Sequence, residues 1–175
     1  MLTLLLLRHA KSSWDYPALA DYDRPLAKRG QKAAPRMGAE IAALGLRPDL
    51  VLCSPAVRTR ETLALVLPAL GSPPPEVVYD DAIYMAPPTA LLKLLRKLPA
   101  GPAAPTTVMV VGHNPGLEEL AELLVGGGDE DAQETMAEKY PTGALAVLTF
   151  DAQTWSNVGP GAGMLSRFIT PAGLT

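Results

Sequence analysis

Leu2-Thr3-Leu4-Leu5-Leu6-Leu7-Arg8-His9-Ala10 is the stretch that decides how this chain is read. The apolar run over residues 2–7 is too short to cross a membrane and reads as a strand buried on both faces. It ends in a fixed cation beside an imidazole, a pair able to hold an anion and attack it. The second of the two histidines, His113, also closes an apolar run, Val108-Met109-Val110-Val111-Gly112-His113-Asn114.

Outward from this strand, residues 50–53 and 107–111 form similar continuous apolar runs. Helical spacing lies between them. Ala33, Met37 and Ile41 recur four apart, with Gly45 as a stop. Leu63, Val66, Leu67 and Leu70 share one face. Pro73-Pro74-Pro75 breaks the chain before a short strand at Val77-Val78-Tyr79. Leu91, Leu92, Leu94, Leu95 and Leu98 mark a third helix, and Leu117, Leu120, Ala121 and Leu124 a fourth, with a loop over residues 99–105 between this helix pair. Strand alternating with helix predicts a three-layer α/β/α sandwich, with a mostly parallel sheet between the helices.

Beyond the fourth helix the pattern changes. Gly126-Gly127-Gly128 and the acidic residues 129–138 read as a mobile or solvated loop. Residues 144–150 and 164–169 read as strands that pair through a turn-rich segment, giving an antiparallel edge strand. No internal repeat or domain boundary is visible, so residues 1–175 read as a single domain.

A net charge of −3 argues against a nucleic-acid binder working through a general basic surface, so any anion site must be local. The one cysteine, Cys53, lies in the apolar run Leu50-Val51-Leu52-Cys53 and reads as buried strand; it points to a cytoplasmic protein. The N-terminal run lacks a basic segment before it and leads into Arg8-His9, unlike a secretory signal, and no stretch is apolar enough to suggest membrane insertion.

In open parallel sheets, ligands bind beyond the carboxyl ends of the strands. Arg8-His9, Ser54-Pro55 and Gly112-His113 all fall at such ends. Arg58 lies in the first turn of the helix after Ser54-Pro55. A cation is poorly placed there, near the positive end of the helix dipole, and a bound anion would explain it.

Three motifs in order, Leu7-Arg8-His9-Ala10-Lys11-Ser12, Ser54-Pro55-Ala56-Val57-Arg58-Thr59-Arg60-Glu61-Thr62 and Gly112-His113-Asn114, resemble the histidine phosphatase superfamily, which includes the phosphoglycerate mutases and acid phosphatases. Asp23-Arg24-Pro25-Leu26, Arg29-Gly30 and Pro141-Thr142-Gly143 are similar to the SixA-type phosphohistidine phosphatases within it. The resemblance implies a phosphoglycerate mutase-like fold and a metal-independent phosphatase with no cofactor. It implies that His9 attacks phosphorus to form a phosphohistidine enzyme, which water then hydrolyses. Arg8 and Arg58 would hold phosphoryl oxygens and disfavour the imidazolium form of His9, and His113 would donate to the transferring group.

Ser12, Asp15, Arg24, Glu61 and Asn114 are further candidates for substrate binding. Relatives in the mutase branch usually have asparagine where Asp15 falls; a carboxylate there would repel a dianion unless protonated or turned away. Arg24 could reach the pocket or pair with Asp21 or Asp23, and Glu61 could serve only to hold an arginine. Trp14 and Tyr84 could line the mouth, with core packing as their default. Ala10 stands where many members have glycine. Met85-Ala86-Pro87-Pro88 follows Tyr84 where many relatives carry a carboxylate, and Asp80 and Asp81 precede it, so no residue is assigned as general acid.

That gap bears on substrate. An alkyl phosphate needs its leaving oxygen protonated, whereas phosphoimidazole leaves with little help. A phosphohistidine-bearing protein is the expected partner, with a small phosphorylated substrate and broad phosphomonoesterase activity as the alternative. A mutase fits less well, and a non-catalytic phosphate- or phosphoprotein-binding module is the reading from another class. A monomer is expected.

Overall fold

Neighbouring residues along the central strands face opposite ways and both sets are buried, which makes the sheet the middle layer. The computed structural model describes residues 1–174. The strands are β1 (Leu2–Arg8), β2 (Leu50–Cys53), β3 (Glu76–Tyr79), β4 (Thr107–Gly112), β5 (Val125–Gly128), β6 (Leu145–Phe150) and β7 (Gly163–Ile169). The α-helices are α1 (Lys28–Ala43), α2 (Val57–Val66), α3 (Pro88–Arg96), α4 (Gly116–Leu124) and α5 (Glu130–Glu138). Leu5, Leu7, Val51, Cys53, Met109 and Val111 pack with Met37 and Ile41 of α1 and Leu63 and Val66 of α2. Leu4, Leu6, Leu50, Leu52, Val108 and Val110 point the other way, onto Leu91 and Leu95 of α3 and Leu117 and Leu120 of α4. This is the three-layer α/β arrangement that the apolar runs predict.

The sheet order is β3-β2-β4-β1-β6-β7-β5. β3, β2, β4 and β1 run parallel, and β6 and β7 pair antiparallel as expected. The antiparallel strand is not at the edge, however. β6 lies between β1 and β7, antiparallel to both, and the edge is β5, parallel to β7. The difference matters for the site. Leu145, the first residue of β6, pairs with Leu7 near the end of β1, so the loop entering β6 arrives where β1 ends.

Residues 126–138 also differ from the expected loop. Gly126-Gly127-Gly128 is strand, because glycine lets the backbone approach closely: a Cβ at Gly126 would meet the Gly161 carbonyl oxygen, and one at Gly128 the backbone of Leu165. The acidic stretch is helix α5. Asp129 caps it by accepting from the Ala132 N–H at 2.8 Å, Glu130 and Asp131 suit the positive end of its dipole, and Met136 is buried.

Two helix ends have simple causes. α1 stops as Gly45 predicts, with φ of 68° there and the Leu46 N–H donating to the Ile41 carbonyl. α2 ends at Val66 instead of reaching Leu70, and residues 67–70 form a 3-10 turn. Pro68 has no N–H to give and its ring opposes an α-helical continuation.

Gly30 explains the glycine of the Arg29-Gly30 motif. It is buried on α1, and a Cβ there would collide with the carbonyl oxygen of Lys11, two residues past His9. That carbonyl already accepts from the Ala27 N–H at 2.9 Å, and Ser12 bridges to Leu26, so the segment cannot easily retreat. Gly30→Ala gains about 1 kcal/mol of helix propensity. Forcing the backbones apart costs about 1–3 kcal/mol, and the loss should win. The expected result is a lower urea midpoint with unchanged slope. An unchanged or raised midpoint would show that the contact relaxes freely.

Candidate active site

β2, β4 and β1 are neighbours and parallel, so their carboxyl ends open on one rim. Arg8 ends β1 and His9 follows it, Ser54 follows β2, and His113 follows β4. The His9 N–H donates to the Gly112 carbonyl at 3.1 Å and the Ser54 N–H to the Val111 carbonyl at 3.0 Å, so both loops leave the sheet tied to β4. The first turn of α2 adds Arg58. Arg8, His9, Arg58 and His113 line one open cleft of about 220 Å³.

His9 is 6% exposed, and its ring centroid is 5.5 Å from that of His113. Its Nδ1 lies 2.7 Å from the Ala10 carbonyl oxygen. A carbonyl can only accept, so Nδ1 carries the proton and Nε2 keeps its lone pair. Burial pulls the His9 pKa down to about 3, with Arg58, His113 and Arg8 adding to the effect and the Ala10 hydrogen bond opposing it. Burial first, then Arg58, lowers His113 to about 4. The cations therefore help keep His9 neutral, as the sequence suggests, but burial is the larger cause.

In the folded protein neither ring should titrate between pH 5 and 8, and NMR of the ring carbons should show flat shifts for both. A midpoint near 6.5 for either would contradict the burial argument. When unfolded, both rings take up protons near the ordinary value of 6.5. The unfolded state thus binds more protons on acidification, and stability falls as the pH drops from 6.5 toward 4 and 3.

The His113 Nε2 lies 2.7 Å from the Ser54 hydroxyl oxygen, and its Nδ1 is buried with no partner. Arg8 Nε is buried and unpartnered as well. Among the described residues these are the two buried side-chain polar atoms left unsatisfied, and both belong to residues of the cleft. Such groups call for a ligand or a functional reason. The Tyr140 carbonyl oxygen holds Arg8 Nη1 at 2.9 Å and Asn114 Nδ2 at 3.1 Å, while the Tyr140 hydroxyl donates to the Leu6 carbonyl. The interior position of β6 is what brings Tyr140 here.

Asp21 organises the opposite wall. Its backbone oxygen accepts from Arg58 Nη1 at 2.7 Å, and its Oδ2 accepts from Arg58 Nη2 at 2.9 Å and from the Tyr84 hydroxyl at 2.6 Å. Its Oδ1 accepts from Arg24 Nη1 at 3.1 Å. The Tyr84 hydroxyl, Arg58 and Arg24 hold the Asp21 carboxyl down at about 2 against a smaller upward push from partial burial. Arg24 also donates to the Ser12 hydroxyl at 2.7 Å, and its guanidinium lies 3.4 Å from the ring centre of Trp14.

Of the lesser candidates, Ser12, Arg24 and Asn114 do line the cleft. Arg24 does so while paired with Asp21, so its two readings coexist. Asp15 and Glu61 are not among its walls. Asp15 is exposed beyond the cleft, with its backbone N–H on the Ser13 hydroxyl. Glu61 is committed to the Leu26 N–H at 2.8 Å and ties α2 to the loop before α1, so it holds backbone and not an arginine. Core packing does not hold for Trp14, which is 72% exposed, nor for Tyr84, whose ring stands edge-on to His113 at 5.3 Å. Asp80 caps a turn through the Ala82 N–H at 2.8 Å. Asp21 is the carboxylate among the residues lining the cleft, and it is ionised. No group of three or more His, Cys, Asp or Glu side chains gathers at metal-binding spacing among the described residues.

The model of the histidine phosphatase superfamily (branch 1) matches residues 4–83. An uncharacterized protein of Mycobacterium tuberculosis is 38% identical over 168 residues, covering 94% of this chain and 99% of the relative. A solved structure from Agrobacterium tumefaciens, named as a candidate phosphohistidine phosphatase SixA, is 32% identical with a TM-score of 0.79, over 97% of this chain and 98% of its own. The chain belongs to the histidine phosphatase superfamily. Within that superfamily it is of the SixA type: a second such candidate, from Nakamurella multipartitia, is 30% identical with a TM-score of 0.81, over 97% of this chain and 96% of its own. Membership of the histidine phosphatase superfamily supports phosphatase activity.

Proposed function

We propose that this protein is a phosphohistidine phosphatase that acts on a phosphohistidine side chain carried by another protein. The observation that carries the proposal is a cleft with two neutral imidazoles, three guanidiniums and no protonated carboxyl. His9 Nε2 attacks phosphorus, the bond from phosphorus to the substrate imidazole breaks, and the phosphoryl group passes to His9. Arg8 and Arg58 hold its oxygens as charge redistributes. The Ser54 oxygen accepts from the Ala56 N–H at 3.4 Å, which turns its own proton to His113 Nε2 and assigns the His113 proton to Nδ1, where it serves as a further donor. Water then attacks the phosphohistidine enzyme, releasing phosphate and restoring neutral His9.

The substrate reading rests on the leaving group. An alkoxide leaves poorly without a proton donor, and Asp21, held at about 2, has no proton to give near neutral pH. An imidazole can take its proton from water at its outer nitrogen. The rim also suits a protein: Trp14 and Met85, which line the cleft, stand exposed.

Steady-state kinetics of a phosphohistidine peptide against the matching phosphoserine peptide, an ester whose leaving group is an alkoxide, tests the reading. The phosphohistidine peptide should show a kcat/KM at least about a hundredfold higher, the scale of one missing general acid. Equal or faster turnover of the ester would overturn the assignment in favour of a broad phosphomonoesterase.

A further inference from the structure

Beside the catalytic cleft lies a larger one of about 480 Å³, walled by one face of α1. Arg29, Lys32, Ala33 and Arg36 recur there at i, i+3, i+4 and i+7, and Lys11 closes the end nearest His9. Its remaining wall is apolar, with Pro141, Pro171 and Ala172. Lys11 and Thr142 line both clefts, so the two are continuous.

No carboxylate among the described residues compensates the charge in this cleft. Among the described residues, the ion pairs are those of Arg24 and Arg58 with Asp21. Lys11, Arg29, Lys32 and Arg36 therefore have no carboxylate partner among the described residues, in a chain whose net charge is −3. Arg36 donates to the Leu174 carbonyl, which satisfies a hydrogen bond and leaves the charge in place. The helix gains nothing from this arrangement: its first turn has no acid, and cations near a helix start oppose the dipole. The catalytic scheme uses none of Arg29, Lys32 and Arg36.

We propose that this cleft docks an acidic segment of the phosphoprotein, a reading that rests on the phosphohistidine function proposed above. The cations from Arg29 to Arg36 extend over about 10 Å of helix, which matches several carboxylates along a chain better than one compact anion. The apolar wall accommodates the stems and backbone of such a segment. Continuity through Lys11 and Thr142 places it next to the histidine presented to His9. The device selects substrate by charge and leaves the chemical step alone.

The test uses two phosphohistidine peptides, one flanked by aspartate and glutamate and one by glutamine, with wild type and R29Q/K32Q/R36Q. Wild type should show a KM about tenfold lower for the acidic peptide at low salt, and added salt should erase the difference. The variant should lose the preference while keeping wild-type kcat and unchanged turnover of p-nitrophenyl phosphate. Equal KM values in wild type, a preference that persists in the variant, or a matching loss on p-nitrophenyl phosphate would each overturn the docking role. Binding of the unphosphorylated acidic peptide, read by fluorescence anisotropy, separates the two proposals. If neither phosphohistidine peptide outpaces a matching phosphoserine peptide, the function reading fails. The docking site then stands if the variant binds this peptide about tenfold more weakly, and falls if both proteins bind it alike.

Discussion

His9→Ala should lower kcat by at least about 10⁴-fold while leaving phosphate binding nearly intact. Nε2 of His9 is the lone pair that the cleft presents, because its Nδ1 is committed to the Ala10 carbonyl at 2.7 Å. The neighbouring imidazole offers no replacement, since His113 Nε2 is engaged with Ser54. Arg8, Arg58 and His113 remain in the variant, so inorganic phosphate should still inhibit or bind within a few-fold of wild type. That contrast separates loss of the nucleophile from loss of the fold. Substantial turnover by His9→Ala would place the nucleophile elsewhere. Intact phosphate binding with no activity in wild type would indicate a non-catalytic phosphoprotein-binding module.

Arg58→Lys should be the next most damaging change, lowering kcat/KM by about 10²–10³-fold although the charge is kept. Arg58 uses two nitrogens on Asp21, at 2.7 Å to the backbone oxygen and 2.9 Å to Oδ2, which fixes the guanidinium plane before substrate arrives. A lysine has one head group and cannot grip Asp21 in this way while also meeting a phosphoryl oxygen. The ionised Asp21 carboxylate would then face the incoming dianion with less compensation. Both kcat and KM should suffer, with kcat falling more. A kcat/KM within threefold of wild type would show that a point charge suffices and that the planar fork is irrelevant.

The residues legible from sequence share one property: they follow apolar runs. A strand buried on both faces reads as continuous hydrophobic sequence, and a parallel sheet delivers whatever comes next to one rim. That is why Arg8, His9 and His113 could be placed together from the chain alone, with Arg58 one turn into the next helix. What stayed hidden is made by loops, whose contacts have no sequence period. Asp21 was visible only as an ion-pair partner for Arg24, yet it gathers Arg24, Arg58 and Tyr84. Tyr140 acts through a backbone carbonyl, which no side-chain pattern can announce.

Two structural surprises have the same character. β5 is a strand because its glycines fit against neighbouring backbone, a tertiary reason that makes the local sequence look like a loop. β6 lies inside the sheet because it pairs with β1 as well as β7, and hydrophobicity alone does not choose between those neighbours. Asp15 is a candidate through the asparagine of the mutase branch and Glu61 through its place one turn beyond Arg58; the loop leaves Asp15 exposed outside the cleft, and the helix commits Glu61 to the Leu26 N–H.

The most direct test of the central claim is to find the phosphoryl group itself. Wild-type protein mixed with excess phosphohistidine peptide, quenched in base within milliseconds and fragmented in a mass spectrometer, should carry one phosphoryl group, on His9, and the modification should be lost in acid. A phosphoryl group on any other residue, or steady turnover with His9 never modified, would contradict the account.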